Sequence, residues 1–109
     1  MANYSRGSVV LVRFPFSDLA GAKVRPAIAV SAPHQSQDIF IVPLTSRIDR
    51  LHPGEFVMRD WQAAGLNVAT AVKRGIFTIQ QDLVIKKVGS ISSSDVDELE
   101  KSLRAWLGL

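Results

Sequence analysis

The sequence predicts a mainly β fold that ends in a single helix, and three observations carry that prediction. Short apolar runs rich in Val and Ile recur from residue 8 to residue 91. Turn-forming Gly, Pro, Asp and Ser separate them at short intervals, and a helical apolar period appears clearly only after residue 92. Short strands so spaced favour a small, highly curved antiparallel barrel. With 109 residues and no repeat, linker or charge block, residues 1–109 read as one domain. A chain of this size buries its surface sparingly, so dimerisation would help it.

Six segments read as extended. "SVVLVRF" (8–14) opens the series, and "AIAVS" (27–31) is a short run suited to burial on both faces. "DIFIVPL" (38–44), "EFVM" (55–58) and "NVATAVKRGIFTI" (67–79) follow, the last bent or broken at Gly75, and "KVGSI" (87–91) closes the set. "PFSDLAGAK" (15–23) is longer than a tight hairpin, and "RDWQAAG" (59–65) has the makings of one or two helical turns stopped by Gly65. In "SSSDVDELEKSLRAWLGL" (92–109), Ser94 can cap a helix whose first turn holds Asp95, Asp97 and Glu98. Lys101 and Arg104 come near its end and Gly108 stops it. Val96, Leu99, Leu103 and Trp106, at spacings of three, four and three, form an apolar stripe expected to lie across the barrel as a lid.

Composition narrows the chemistry. The apolar fraction of 47% is that of an ordinary globular protein, and 13 Lys and Arg against 10 Asp and Glu leave a net charge of +3, compatible with a nucleic-acid partner. No cysteine is present, which removes disulfides, thiolate metal sites and cysteine nucleophiles together. A metal site is not expected. No apolar stretch suits a signal peptide or a membrane span, so a soluble, cytoplasmic protein with no membrane partner is expected.

The strongest candidate chemistry surrounds Arg25. In "KVRPAIAVS" (23–31), Pro26 suits the first residue of a strand and biases Arg25 toward extended backbone, so Arg25 sits at a strand mouth. "DIFIVPL" ends in Thr45, Ser46 and Arg47. If the two strands are antiparallel neighbours, Arg25 and Thr45 share a site. A guanidinium fork beside a hydroxyl and backbone amides is a good receptor for phosphate. Each residue also has a plainer reading: Arg25 as a surface ion pair, Thr45 and Ser46 as turn or cap residues.

The order "RGSVVLVRFPFSDLAGAKVRPAIAVS", "IVPLTS", "W..AGL" and "IFTIQQDLVIKKVGSIS", followed by an amphipathic helix, resembles the MazF/PemK family of toxin ribonucleases along nearly the whole chain. The resemblance implies an SH3-like barrel of the MazF/CcdB type, a two-fold homodimer, a cognate antitoxin as partner, and cleavage of single-stranded RNA without metal or other cofactor. It also implies that Arg25 and Thr45 are the active-site residues. The sequence departs from the family pattern at Ser8, where aspartate is frequent, and at Thr70 and Lys73, where serine and arginine are favoured.

Metal-free RNA cleavage by the 2′-hydroxyl builds charge on phosphoryl oxygens, and a fixed guanidinium suits that charge. A guanidinium donates a proton far more readily than it accepts one, so the base is harder to name. Asp18 is the nearest carboxylate in sequence, with a turn-forming aspartate as its plainer reading. His34 and His52, each beside a proline, read as exposed loop histidines. Lys23, Ser46, Arg47, Lys73 and Arg74 are candidates to hold the RNA backbone, as is Arg50, and each is alternatively a solvated surface group. Phe14 and Phe16 are either base-stacking rings or plugs at the barrel mouth. A second reading is a non-catalytic toxin on the same fold. A CcdB-like gyrase poison acts through a Trp-bearing C-terminus, which "AWLGL" (105–109) faintly resembles, although the helical period buries Trp106.

Overall fold

The computed structural model describes residues 4–14, 23–32 and 35–109. Among the described residues seven strands precede one α-helix: β1 (Ser8–Phe14), β2 (Lys23–Ala29), β3 (Asp38–Thr45), β4 (Phe56–Val57), β5 (Ala71–Val72), β6 (Phe77–Gln80) and β7 (Val84–Ser90), with a 3-10 turn at Gln81–Leu83 before β7, then α1 (Ser93–Leu107). All pairings are antiparallel and run β4-β5-β3-β2-β1-β7, with β6 also on β3. β4 and β7 lie at opposite ends of this path and do not pair, so the barrel expected from the sequence is an open sheet. The segment 67–79 is broken as expected around Gly75. Its two halves, β5 and β6, both run beside β3, and β2 takes the other edge.

Period-two alternation explains how one sheet supports two cores. Val9, Ile28, Val42 and Leu44 turn to one face and pack with Leu99 and Leu103 of α1. Their neighbours Val10, Val12, Ala27 and Ile41 turn to the other face and join Phe14, Ile39 and Ile79. Ala27, Ile28 and Ala29 are completely buried, which is why their run carries no polar alternation. Val96 and Trp106 pack against the first core beside Leu99 and Leu103, so the predicted stripe does cover the sheet.

Two local expectations are corrected. β2 starts at Lys23, so Pro26 is its fourth residue rather than its first. The missing N–H is tolerated because pairing with β3 begins only at Ala27. The cap of α1 is Ser92, whose Oγ accepts the Asp95 N–H at 3.2 Å, so Ser94 lies inside the helix. Residues 59–65 form a single helical turn, as expected: the Ala64 N–H reaches Asp60 O at 3.1 Å. Gly65, at φ 92°, ends it with N–H bonds from Gly65 to Gln62 O and from Leu66 to Trp61 O.

Asp95 is the first-turn acid expected and does more. It is 2% exposed, and its two oxygens accept the N–H groups of Arg59 (2.8 Å) and Asp60 (3.0 Å), tying the segment after β4 to the start of α1. No helix among the described residues is long and apolar enough to cross a membrane.

A cationic groove at the end of the β2–β3 pair

The register of β2 on β3 sets the site. Ala27 faces Pro43, so the same register continued two residues puts Arg25 across from Thr45, where the strands have splayed beyond their last paired residues. The splay opens a groove of about 1120 Å³ that both residues line, as the antiparallel arrangement predicts. All the described candidates but Arg50 are there: Lys23, Arg25, Thr45, Ser46, Arg47, Lys73 and Arg74. Asp18 and Phe16 lie outside the described residues, as does His34. Arg50 and His52 do not line the groove.

The electrostatics are one-sided. Five cations face the groove, no carboxylate of the described residues lines it, and none of the five is ion-paired to another described residue. Cations held together without counter-charges repel one another and form a receptor for a polyanion.

The bearing segments are fixed through their backbones. Thr45 Oγ1 accepts the Arg47 N–H at 3.1 Å, which folds the chain after β3 so that Ser46 and Arg47 reach the groove. With a lone pair so engaged, the Thr45 hydroxyl keeps its hydrogen for donation to a bound group. The Lys73 N–H donates to Pro43 O at 3.0 Å, two residues before Thr45. The Arg74 N–H donates to Glu55 Oε2 at 2.8 Å, while Glu55 Oε1 accepts the His52 N–H at 2.7 Å. Burial raises the Glu55 pKa. The two backbone bonds from His52 and Arg74, with the charges of His52 and Lys73, outweigh it and leave the carboxyl below its ordinary value.

The aromatic assignment changes. Phe14 is buried and packs edge-on against Phe77, ring centroids 6.0 Å apart, so it is the plug of the two alternatives. Both rings line the groove, and Phe77, 36% exposed, is the more open of the two. Glu55 and Phe77 were not singled out from the sequence. Glu55 carries no motif with its partners, and Phe77 lies in a segment whose bend at Gly75 hides which face it takes.

A family model described as the PemK-like, MazF-like toxin of type II toxin-antitoxin systems matches residues 5–107. The chain belongs to the PemK/MazF toxin family. No curated protein matches it significantly. Among solved structures, an endoribonuclease from a mycobacterial species aligns with TM-score 0.77 at 23% identity over 100% of this chain and 95% of its own. MazF of Deinococcus radiodurans aligns with TM-score 0.79 at 19% identity, covering 100% of both chains. A mycobacterial endoribonuclease in complex with its cognate antitoxin aligns with TM-score 0.76 at 21% identity over 96% of this chain and 95% of that one. At these identities the structures establish the shared PemK/MazF fold.

Proposed function

We propose that this PemK/MazF-family chain is a cytoplasmic toxin endoribonuclease that cleaves single-stranded RNA without a metal ion, with Arg25 and Thr45 at the scissile phosphate. The observation that carries the reading is the groove itself, where five cations and the Thr45 and Ser46 hydroxyls converge with no carboxylate of the described residues among them. In the reaction the RNA 2′-oxygen attacks its own phosphorus, the bond to the 5′-oxygen breaks, and 2′,3′-cyclic phosphate and 5′-hydroxyl ends result. The Arg25 fork binds the phosphoryl oxygens as negative charge gathers on them, and the Thr45 hydroxyl donates to the same group. Lys23, Ser46, Arg47, Lys73 and Arg74 hold flanking phosphates, contacts that give affinity and register rather than sequence choice. The fold relatives solved as antitoxin complexes support a cognate antitoxin as protein partner, and a homodimer fits the family. An antitoxin segment rich in Asp and Glu would meet the same five cations.

The gyrase-poison alternative asks for a free C-terminal Trp. The Trp106 indole packs on the first core and donates to Pro53 O at 3.1 Å, which favours a structural role.

The test is incubation of the purified protein with a long unstructured RNA in excess EDTA, beside Arg25→Ala. Discrete fragments with cyclic-phosphate and 5′-hydroxyl ends, lost in the variant, are expected. Intact RNA across several substrates, or cleavage unchanged by Arg25→Ala, refutes the assignment.

A further inference from the structure

From the geometry we infer that Glu55 is a positioning residue for RNA: it holds the Lys73–Arg74 turn at the height where its cations meet the groove. This inference rests on the ribonuclease reading for its ligand and on the hydrogen bonds for its geometry. β4 pairs with β5 in the register Phe56 to Val72, so Glu55 stands just outside the ladder at the end from which Lys73 and Arg74 emerge. Its carboxylate does not line the groove. It reaches around the end of the ladder and accepts the Arg74 N–H from behind, at 2.8 Å.

The post on which Glu55 stands is itself braced. The Glu55 N–H donates to His52 O at 2.9 Å and the His52 N–H returns to Glu55 Oε1 at 2.7 Å, closing the turn 52–55 on itself. From the other side, α1 grips two consecutive carbonyls of the turn: Ser102 Oγ donates to Gly54 O at 2.6 Å and Trp106 Nε1 to Pro53 O at 3.1 Å. Arg74 therefore hangs from a turn fixed to the helix, and Lys73 from Pro43 of β3. With both amides held, the two side chains leave the backbone in set directions.

Charge alone and positioning predict opposite signs, which makes the role testable. A carboxylate near a polyanion site repels the ligand, so by Coulomb's law alone Glu55→Gln should tighten RNA binding. If Glu55 positions the turn, Glu55→Gln weakens binding, because an amide has one acceptor oxygen for two N–H donors and turns an NH2 toward the other. Glu55→Asp keeps the charge but, one methylene shorter, reaches only one of the two donors, and it should weaken binding as well.

The experiment measures binding of a 2′-O-methyl single-stranded oligonucleotide, which cannot be cleaved, to the full chain and to both variants, with amide exchange of Arg74 recorded without oligonucleotide. The expected result is a Kd raised roughly 5- to 10-fold in each variant, about the worth of one phosphate contact, with faster Arg74 exchange. Binding by Glu55→Gln as tight as or tighter than wild type overturns the inference, as does an unchanged Kd in Glu55→Asp. If the wild-type protein binds no oligonucleotide, the ribonuclease reading fails instead. Arg74 exchange then decides alone whether Glu55 holds the turn, unchanged exchange rejecting it.

Discussion

Replacing Asp95 by Ala should cost the domain about 3 kcal/mol, far more than an ordinary helix-surface substitution. The side chain is almost wholly buried and each oxygen accepts a backbone N–H from the segment after β4, at 2.8 and 3.0 Å. Hydrogen bonds to a charged group contribute about 1.5–3 kcal/mol each. Because water can reach the partly exposed Arg59–Asp60 segment, the lower end applies, and two bonds sum to about 3 kcal/mol. At this chain length 1 kcal/mol moves the melting temperature by about 4 °C, so Asp95→Ala should melt roughly 12 °C lower. Asp95→Asn retains one acceptor and should lose about half as much. Thermal melts and urea titrations measure both, and the urea midpoint should fall with little change in slope. A melting temperature for Asp95→Ala within about 2 °C of wild type would refute the reasoning, since it would mean that the two N–H groups find equal partners without the carboxylate.

Two further outcomes follow from the turn 52–55. Since the Glu55 pKa lies below its ordinary value of 4.5, its contribution to stability is complete above about pH 4.5 and fades as pH falls through the folded value. The stability deficit of Glu55→Gln against wild type should accordingly be constant near neutrality and shrink in urea titrations carried below about pH 4; a deficit that persists unchanged at low pH would contradict the assignment. Gly54→Ala should be strongly destabilising, because φ is +87° and the new Cβ would collide with the Trp106 indole. In a Trp61→Phe background the emission of Trp106 should shift to the red as the ring is displaced, and an unshifted spectrum with wild-type stability would count against the packing described.

Legibility from sequence followed the range of the interaction. Strand positions and the α1 stripe could be read because their signals are periodic within a few residues. The meeting of Arg25 and Thr45 could be read because each lies at the end of an apolar run and antiparallel pairing brings such ends together. The helix start was missed by two residues because Ser92, Ser93 and Ser94 are chemically equivalent as caps, and Asp95 selects Ser92 through three-residue spacing. Sheet closure was overestimated because it depends on whether the short β4 meets β7, a pairing between residues about 30 apart with no local signal. Glu55 was invisible for a related reason: its importance lies in Arg74, 19 residues away, and the bond is to a backbone amide that every residue but proline offers.

β3 has β2 along one edge and shares the other between β6 and β5, and Thr45 is its last residue. The cations around Thr45 also stand on backbone already spoken for: Arg25 on β2, Arg47 held by the threonine oxygen, Lys73 and Arg74 held by Pro43 and Glu55. Assembly of these groups is thus completed when the chain folds. In the proposed RNA complex these described groups have little freedom left to lose, so a stiffer or already bent nucleic acid should gain affinity without any new contact.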